Sequence, residues 1–271
     1  MAARIKHLAI CSDNYALQGK FYEALFGMKA SSTNYRPEAA CSLSDGYLGM
    51  NINPRRVGCP AGLDHFGFEV PNMEEVYARV REAYPRVGWV KRPVIRPFAA
   101  ITMHDPAGNF FDVSESGDAN RKDIYADASL EAPTPPRYVQ HFMIRALDLT
   151  ATARFYRDVF DLREQDKDAD DPACYLTDGR ITMVIAPWNI EDYLDTNIER
   201  PALDHLGFAV ESVERFQADL QKLLARNPAL TPKALGCGSE GEARLRLFSK
   251  CSRGQFQLAD LDGVLIDVSE A

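Results

Sequence analysis

The chain is written twice. The segment IKHLAI around His7 returns as VQHFMI around His141. KFYEALFGM (20–28) returns as RFYRDVFDL (154–162), and LSDGYLGMNI (43–52) as LTDGRITMVI (176–185). LDHFGFEV (63–70) returns as LDHLGFAV (203–210), and DPAGNFFDVSES (105–116) as DLDGVLIDVSEA (260–271). Chance similarity does not keep its order over five blocks, so the chain is an internal duplication and must build its fold from copies of one unit. Between the copies, GDANRKDIYADASLEAPTPPR (117–137) is polar, ends in a proline-rich stretch and has no periodicity, which predicts a linker. The expected organisation is a domain over 1–116, a linker over 117–137 and a domain over 138–271. A chain of 271 residues suits two domains of about 100–150 residues each.

Each copy divides again. Residues 5–12 and 139–146 are short apolar runs with β-branched or aromatic members, which predicts strands. Residues 14–27 and 149–161 set Phe21, Leu25 and Phe26, and Phe155, Val159 and Phe160, at helical spacing. Asp13 and Asp148 are placed to cap these helices. Further strands follow, with Asp45-Gly46 and Asp178-Gly179 as hairpin turns. The order then restarts, with a strand at 63–70 and a helix at 72–84, and with a strand at 203–210 and a helix at 212–226. The prediction is α+β: four βαβββ units forming two cup-shaped mixed sheets, with helices outside.

Composition narrows the function. The net charge is −8 and the pI about 5.2, which argues against a nucleic-acid binder, since phosphates call for a basic footprint. No apolar run approaches the roughly 20 residues that a bilayer demands, and the N-terminus lacks the apolar core of a signal peptide. Six cysteines without CxxC spacing read as reduced thiols. A cytoplasmic protein acting on a small molecule is expected, with homo-oligomerisation open.

Of five histidines, four occupy two repeated positions: His7 with His141, and His65 with His205. The competing reading is core histidines kept by duplication. However, a carboxylate-bearing strand closes each copy, and two His with one carboxylate is a recognised metal-ligand set. The carboxylate is Asp112 or Glu115 in the first copy, and Asp267 or Glu270 in the second. Strand parity puts Asp267 opposite the apolar set Val264, Ile266 and Val268, on the open face. Glu is longer, and a bulge can switch faces, so both candidates stand.

These residues carry a resemblance. LDHxGF, the FYxxxF helix and the DPxGNxxD closing strand resemble the vicinal oxygen chelate superfamily, which includes glyoxalase I, extradiol dioxygenases, fosfomycin resistance enzymes and bleomycin-binding proteins. The resemblance spans both copies. It implies paired βαβββ units around a divalent metal, and it places the metal carboxylate four residues after the glycine of the DPxG turn. Those places hold Asp112 and Asp267, where the family usually has Glu. Glyoxalase-like members also draw a ligand from the fourth strand, where Asn51 or Asn53 stands here and no Glu is present in either copy. Dioxygenase-like members take His, His and a carboxylate from one domain, usually the C-terminal one.

The resemblance thus implies an Fe(II) ring-cleaving dioxygenase, with His141, His205 and Asp267 or Glu270 as its favoured centre. One alternative is a glyoxalase-, isomerase- or epimerase-like enzyme using Zn, Ni or Mn. Another is a metal-free drug-binding or resistance protein. His104, without a counterpart, and Tyr193, in an insertion with Trp188 (187–201), are weaker catalytic candidates, and the insertion is a candidate lid. The Gly-rich, cation-bearing stretch 236–255 is read as a loop, either closing over an anionic substrate or mobile.

Overall fold

The computed structural model describes residues 3–31, 40–93, 98–118, 124, 134–196, 198–251 and 253–271, apart from the side chain of residue 195. Most of the expected linker lies outside the described residues. The first half runs β1 (Arg4–Ser12), α1 (Tyr15–Phe26), β2 (Lys29–Ala30), β3 (Cys41–Ser44), β4 (Gly49–Pro54), β5 (Gly62–Val70), α2 (Met73–Ala83), β6 (Trp89–Lys91), β7 (Ile101–His104) and β8 (Phe110–Glu115). The second half runs β9 (Tyr138–Ala146), α3 (Leu149–Phe160), β10 (Arg163–Glu164), β11 (Cys174–Thr177), β12 (Thr182–Pro187), α4 (Ile190–Thr196), β13 (Leu203–Val210), α5 (Val213–Arg226), α6 (Gly238–Cys251), β14 (Phe256–Ala259) and β15 (Leu265–Glu270). The strand orders are β2-β3-β4-β1-β5-β8-β7-β6 and β10-β11-β12-β9-β13-β15-β14. The two sheets therefore repeat one topology, mixed and α+β as the sequence predicts.

Three local expectations change. The loop expected over 236–255 is largely the helix α6, which stands where the first half has β6. The fourth unit is thus a modified copy, in which ARLRLFSK helix formers outweigh the flanking glycines. The insertion after β12 holds the short helix α4. The cap of α1 is Asn14, whose side chain accepts from the Leu17 N–H, while Asp13 pairs with Arg55 at 2.6 Å. Asp148 caps α3 as expected, through the Ala151 N–H.

The halves are joined reciprocally. Phe26 of α1 stacks on Phe208 of β13 with centroids 3.9 Å apart, and its counterpart Phe160 of α3 stacks on Phe68 of β5 at 4.4 Å. The hairpin aspartates cross over as well. Asp45 Oδ2 accepts from the Val139 N–H at 2.9 Å, and Asp178 Oδ2 accepts from the Ile5 N–H at 2.7 Å. The aspartates of the closing turns accept from tyrosines of the opposite helix: Tyr22 donates to Asp260 and Tyr156 to Asp105, each at 2.9 Å. All four partners are fully buried or nearly so, where an unmade hydrogen bond is costly.

Burial pushes the Asp260 carboxyl up to about 6, against the pull of the Val264 N–H and the Tyr22 hydroxyl. The native chain then holds a proton between about pH 4 and 6 that the unfolded chain, with an ordinary carboxyl near 3.8, has released. Unfolding free energy should therefore fall as pH rises through that window, by at most about 3 kcal/mol from this residue. Asp260→Asn, neutral throughout, should remove that part of the slope in urea unfolding. Equal slopes in the two proteins would show that Asp260 titrates normally.

Candidate metal centres

One row of residues runs across each sheet. In the first, β1 places His7 beside Gly67 of β5, and Gly67 beside Asp112 of β8. In the second, His141 stands beside Gly207, and Gly207 beside Asp267. His65 and His205 lie two residues before these glycines, on the same strand face. The glycines are obligatory for this row. A Cβ on Gly207 would lie 1.9 Å from His141 Cε1, and one on Gly67 would lie 2.8 Å from the Asp112 carbonyl oxygen. Only a bare backbone lets the first histidine and the carboxylate lean together over the middle strand, so the HxG of the repeated LDHxGF motif follows from sterics.

The result is two clusters, His7–His65–Asp112 and His141–His205–Asp267, each offering three ligand atoms within 4.8 Å of one another. Asp, as parity suggests, is the carboxylate in both. The pairing of β13 with β15 runs without a shift to Glu270, so the closing strand is not bulged. Glu115 and Glu270 point the other way and cap helices, Glu115 accepting from the Met73 N–H at 2.8 Å and Glu270 from the Val213 N–H at 3.0 Å. The structure does not bring them to the histidines. His104, the last residue of β7, accepts from the Gly88 N–H and belongs to neither cluster. Tyr193 is 47% exposed on α4, and Trp188 donates to the Ile198 carbonyl. Asn51 accepts from the Ser42 hydroxyl, while Asn53 lines a cavity at the first cluster.

The aspartate preceding each second histidine went unread in the sequence, although it too is repeated. Asp64 Oδ2 lies 2.7 Å from His65 Nδ1, and Asp204 Oδ1 lies 2.7 Å from His205 Nδ1. A carboxylate on Nδ1 fixes the proton there and turns Nε2 toward the cluster. In the second half the carboxylate is itself held by Arg145 Nε at 2.6 Å and Arg244 Nη2 at 2.9 Å. Arg145 is only 2% exposed. Burial would raise Asp204, but His205 and the two guanidiniums hold it well below the usual carboxylate range.

The donor sets fit a cation. His141 Nδ1, His141 Nε2 and His205 Nε2 are buried without a hydrogen-bond partner among the described residues, a costly state for nitrogens that a cation would engage. In the first cluster, His7 Nε2 faces His65 Nε2 at 3.0 Å, and His65 Nε2 faces Asp112 Oδ2 at 3.1 Å. Burial opposes charge on His65, yet Asp112 and then Asp64 raise it to about 9. Burial and His65 push His7 down to about 3, and His65 above all holds the buried Asp112 at about 2. Asp112 and Asp64 thus favour positive charge at the centre of the cluster.

The two centres differ in access. His65 and Asp112 line a cavity of about 460 Å³ with Asn53, Arg56, Asp64, Arg92, Thr102 and Phe110. The second cluster is closed. Phe248 of α6 lies 4.9 Å from the His205 ring, and the turn after α6 donates the Arg253 and Gly254 N–H groups to Asp267 Oδ2 at 2.6 and 2.8 Å. The neighbouring cavity on the second sheet is lined by Met143, Arg145, Tyr175, Leu247 and Cys251 but by none of the triad.

Residues 138–268 match the model of the Glyoxalase/Bleomycin resistance protein/Dioxygenase superfamily. The first half repeats the second in sequence blocks and in strand order. The C-terminal half belongs to this superfamily. The fold of both halves is shared with solved structures. A catechol 2,3-dioxygenase is 12% identical with a TM-score of 0.63, over 99% of this chain and 87% of that one. The Mn(II)-bound glyoxalase from Novosphingobium aromaticivorans is 13% identical with a TM-score of 0.61, over 98% and 81%. Homoprotocatechuate 2,3-dioxygenase from Arthrobacter globiformis is 17% identical with a TM-score of 0.61, over 99% and 79%. No curated protein sequence matches the chain. Among the described residues no helix is long and apolar enough to cross a membrane.

Proposed function

We propose that the protein is a metal-dependent enzyme of the vicinal oxygen chelate type, whose working centre is His7, His65 and Asp112. The observation that carries this reading is the cavity lined by His65 and Asp112 of this triad, whereas all three residues of the other triad are buried and the cavity beside them is lined by none of them. The first half is thus preferred, whereas the family's habit favours the C-terminal centre. A divalent metal held there would act as a Lewis acid toward two adjacent oxygens of a small substrate. The protein's own part is to set the ligands. Asp64 orients His65 through Nδ1, the Thr102 hydroxyl donates to Asp112 Oδ1, and Phe98 stacks on the His7 ring at 4.9 Å and shields it from water. His65 and Asp112 line the cavity, with His7 buried behind them, which leaves the cavity volume to the substrate.

Within this class we favour Fe(II) and ring-cleaving dioxygenation, because two histidines and one carboxylate are the ligand set of non-haem Fe(II) oxygenases. Asn51 and Asn53 offer no carboxylate on β4 to complete a glyoxalase-like set. Protein purified without oxygen, loaded with Fe(II) and offered a panel of catechols should consume O₂. His7→Ala should abolish that uptake, while His141→Ala should retain most of it. Loss in His141→Ala with normal uptake in His7→Ala would return the reaction to the second centre. Turnover of a 2-oxo aldehyde thiol adduct with Zn, Ni or Mn, and no O₂ uptake, would favour the glyoxalase-like reading.

A further inference from the structure

We infer that the substrate of the first cavity carries a carboxylate beside its vicinal oxygens, and that Arg92, seconded by Arg56, receives it. The inference rests on the reading of this cavity as the active site. The chain is acidic overall, at −8, yet two guanidiniums line this cavity. Of the two acids lining it, Asp64 forms a loose ion pair with Arg56, and neither pairs with Arg92 among the described residues. Asp64 and Asp112 approach His65 at 2.7 and 3.1 Å, and Arg56 comes no closer to Asp64 than 3.9 Å.

Arg92 is the more telling of the two. Its backbone is pinned by the Arg92 N–H donating to the Ala100 carbonyl at 2.9 Å. Its Nε is buried and has no hydrogen-bond partner among the described residues. A guanidinium left in this state awaits a planar two-oxygen acceptor, which its fork matches in geometry and charge. The second half gives the contrast, because Arg145 and Arg244 there are both committed to Asp204. Phe110, 55% exposed and lining the same cavity, offers a flat apolar surface to the body of the ligand. These side chains therefore suit a small, flat molecule with two adjacent oxygens at one end and a carboxylate at the other.

The test is binding rather than turnover. Full-length protein loaded with Zn(II), which does not support oxygen chemistry, is titrated calorimetrically with catechol and with a dihydroxybenzoate. The carboxylated ligand should bind at least about tenfold more tightly, the order expected of one charge-assisted hydrogen bond. Arg92→Met should erase that preference while leaving zinc content and catechol affinity unchanged, and Arg56→Met should reduce it by less. Equal binding of both ligands by the wild type would overturn the inference and leave the metalloenzyme reading intact. So would a preference that survives in Arg92→Met. If the protein takes up no zinc at the first cluster and binds neither ligand, both readings fall together.

Discussion

Asp112→Ala is expected to strip the first cluster of its metal, and Asp267→Ala the second, whereas Glu115→Ala and Glu270→Ala should leave both loaded. Each aspartate stands in the same cross-strand row as a histidine and an intervening glycine, with its oxygens among the converging ligand atoms. The glutamates lie on the opposite strand face and bind helix N-termini. Losing a ligand should cost more than the roughly 10–100-fold that loss of an outer partner costs. Metal stoichiometry of the purified variants decides it, with helix content by circular dichroism to confirm folding. Asp112→Glu should keep the metal, because it restores the longer acid that the superfamily carries at that point. Depletion in Glu270→Ala with full loading in Asp267→Ala would show that the closing strand presents its other face.

Asp204→Ala should be the most damaging single change to the second half. Asp204 lies within hydrogen-bond distance of His205 Nδ1, Arg145 Nε and Arg244 Nη2. Removing it takes the closest carboxylate from the buried Arg145 guanidinium, leaving the Pro187 carbonyl, Cys251 and, at 4.0 Å, Asp192 beside it among the described residues, and releases α6 from the sheet. Breaking a buried ion pair from one side costs about 3–5 kcal/mol, to be read from urea unfolding. Hydrogen exchange should show α6 amides losing protection. A cost below about 1 kcal/mol, with α6 still protected, would mean that the pair is solvated and that Phe248 alone seats the helix.

The repeat made most of this legible. Because His7, His65, Asp112 and their counterparts recur in order, the four units and the residues of both clusters are visible in the sequence. Strand parity separated Asp267 from Glu270 because both sit on one short strand, where period two is unambiguous. Access was not legible. Gly236, Gly238 and Gly241 suggested a loop, yet the helix formers between Glu240 and Lys250 build α6 over the second cluster, with Phe248 as its contact. Asp45, Asp178, Asp105 and Asp260 were read as turn residues, which they are. Their second oxygens reach partners across the molecule, and no local pattern reports a contact between residues so far apart in sequence. The matched Tyr22 and Tyr156 held a usable signal, since a helix buries a tyrosine at the same repeated place only where its hydroxyl finds a partner.

The crossed contacts of the hairpin and closing-turn aspartates have a consequence for ancestry and for engineering. Four of these contacts form two mirror-image pairs, each running once from the first half to the second and once back, the self-complementary pattern of a two-fold homodimer. The chain is in effect such a dimer with its subunits fused, and either half alone would present an interface shaped for a copy of itself. Fusion also removed the constraint that both subunits be identical. One surface could keep an open centre while the other acquired α6 and closed, an asymmetry that no homodimer encoded by a single copy can reach by sequence change.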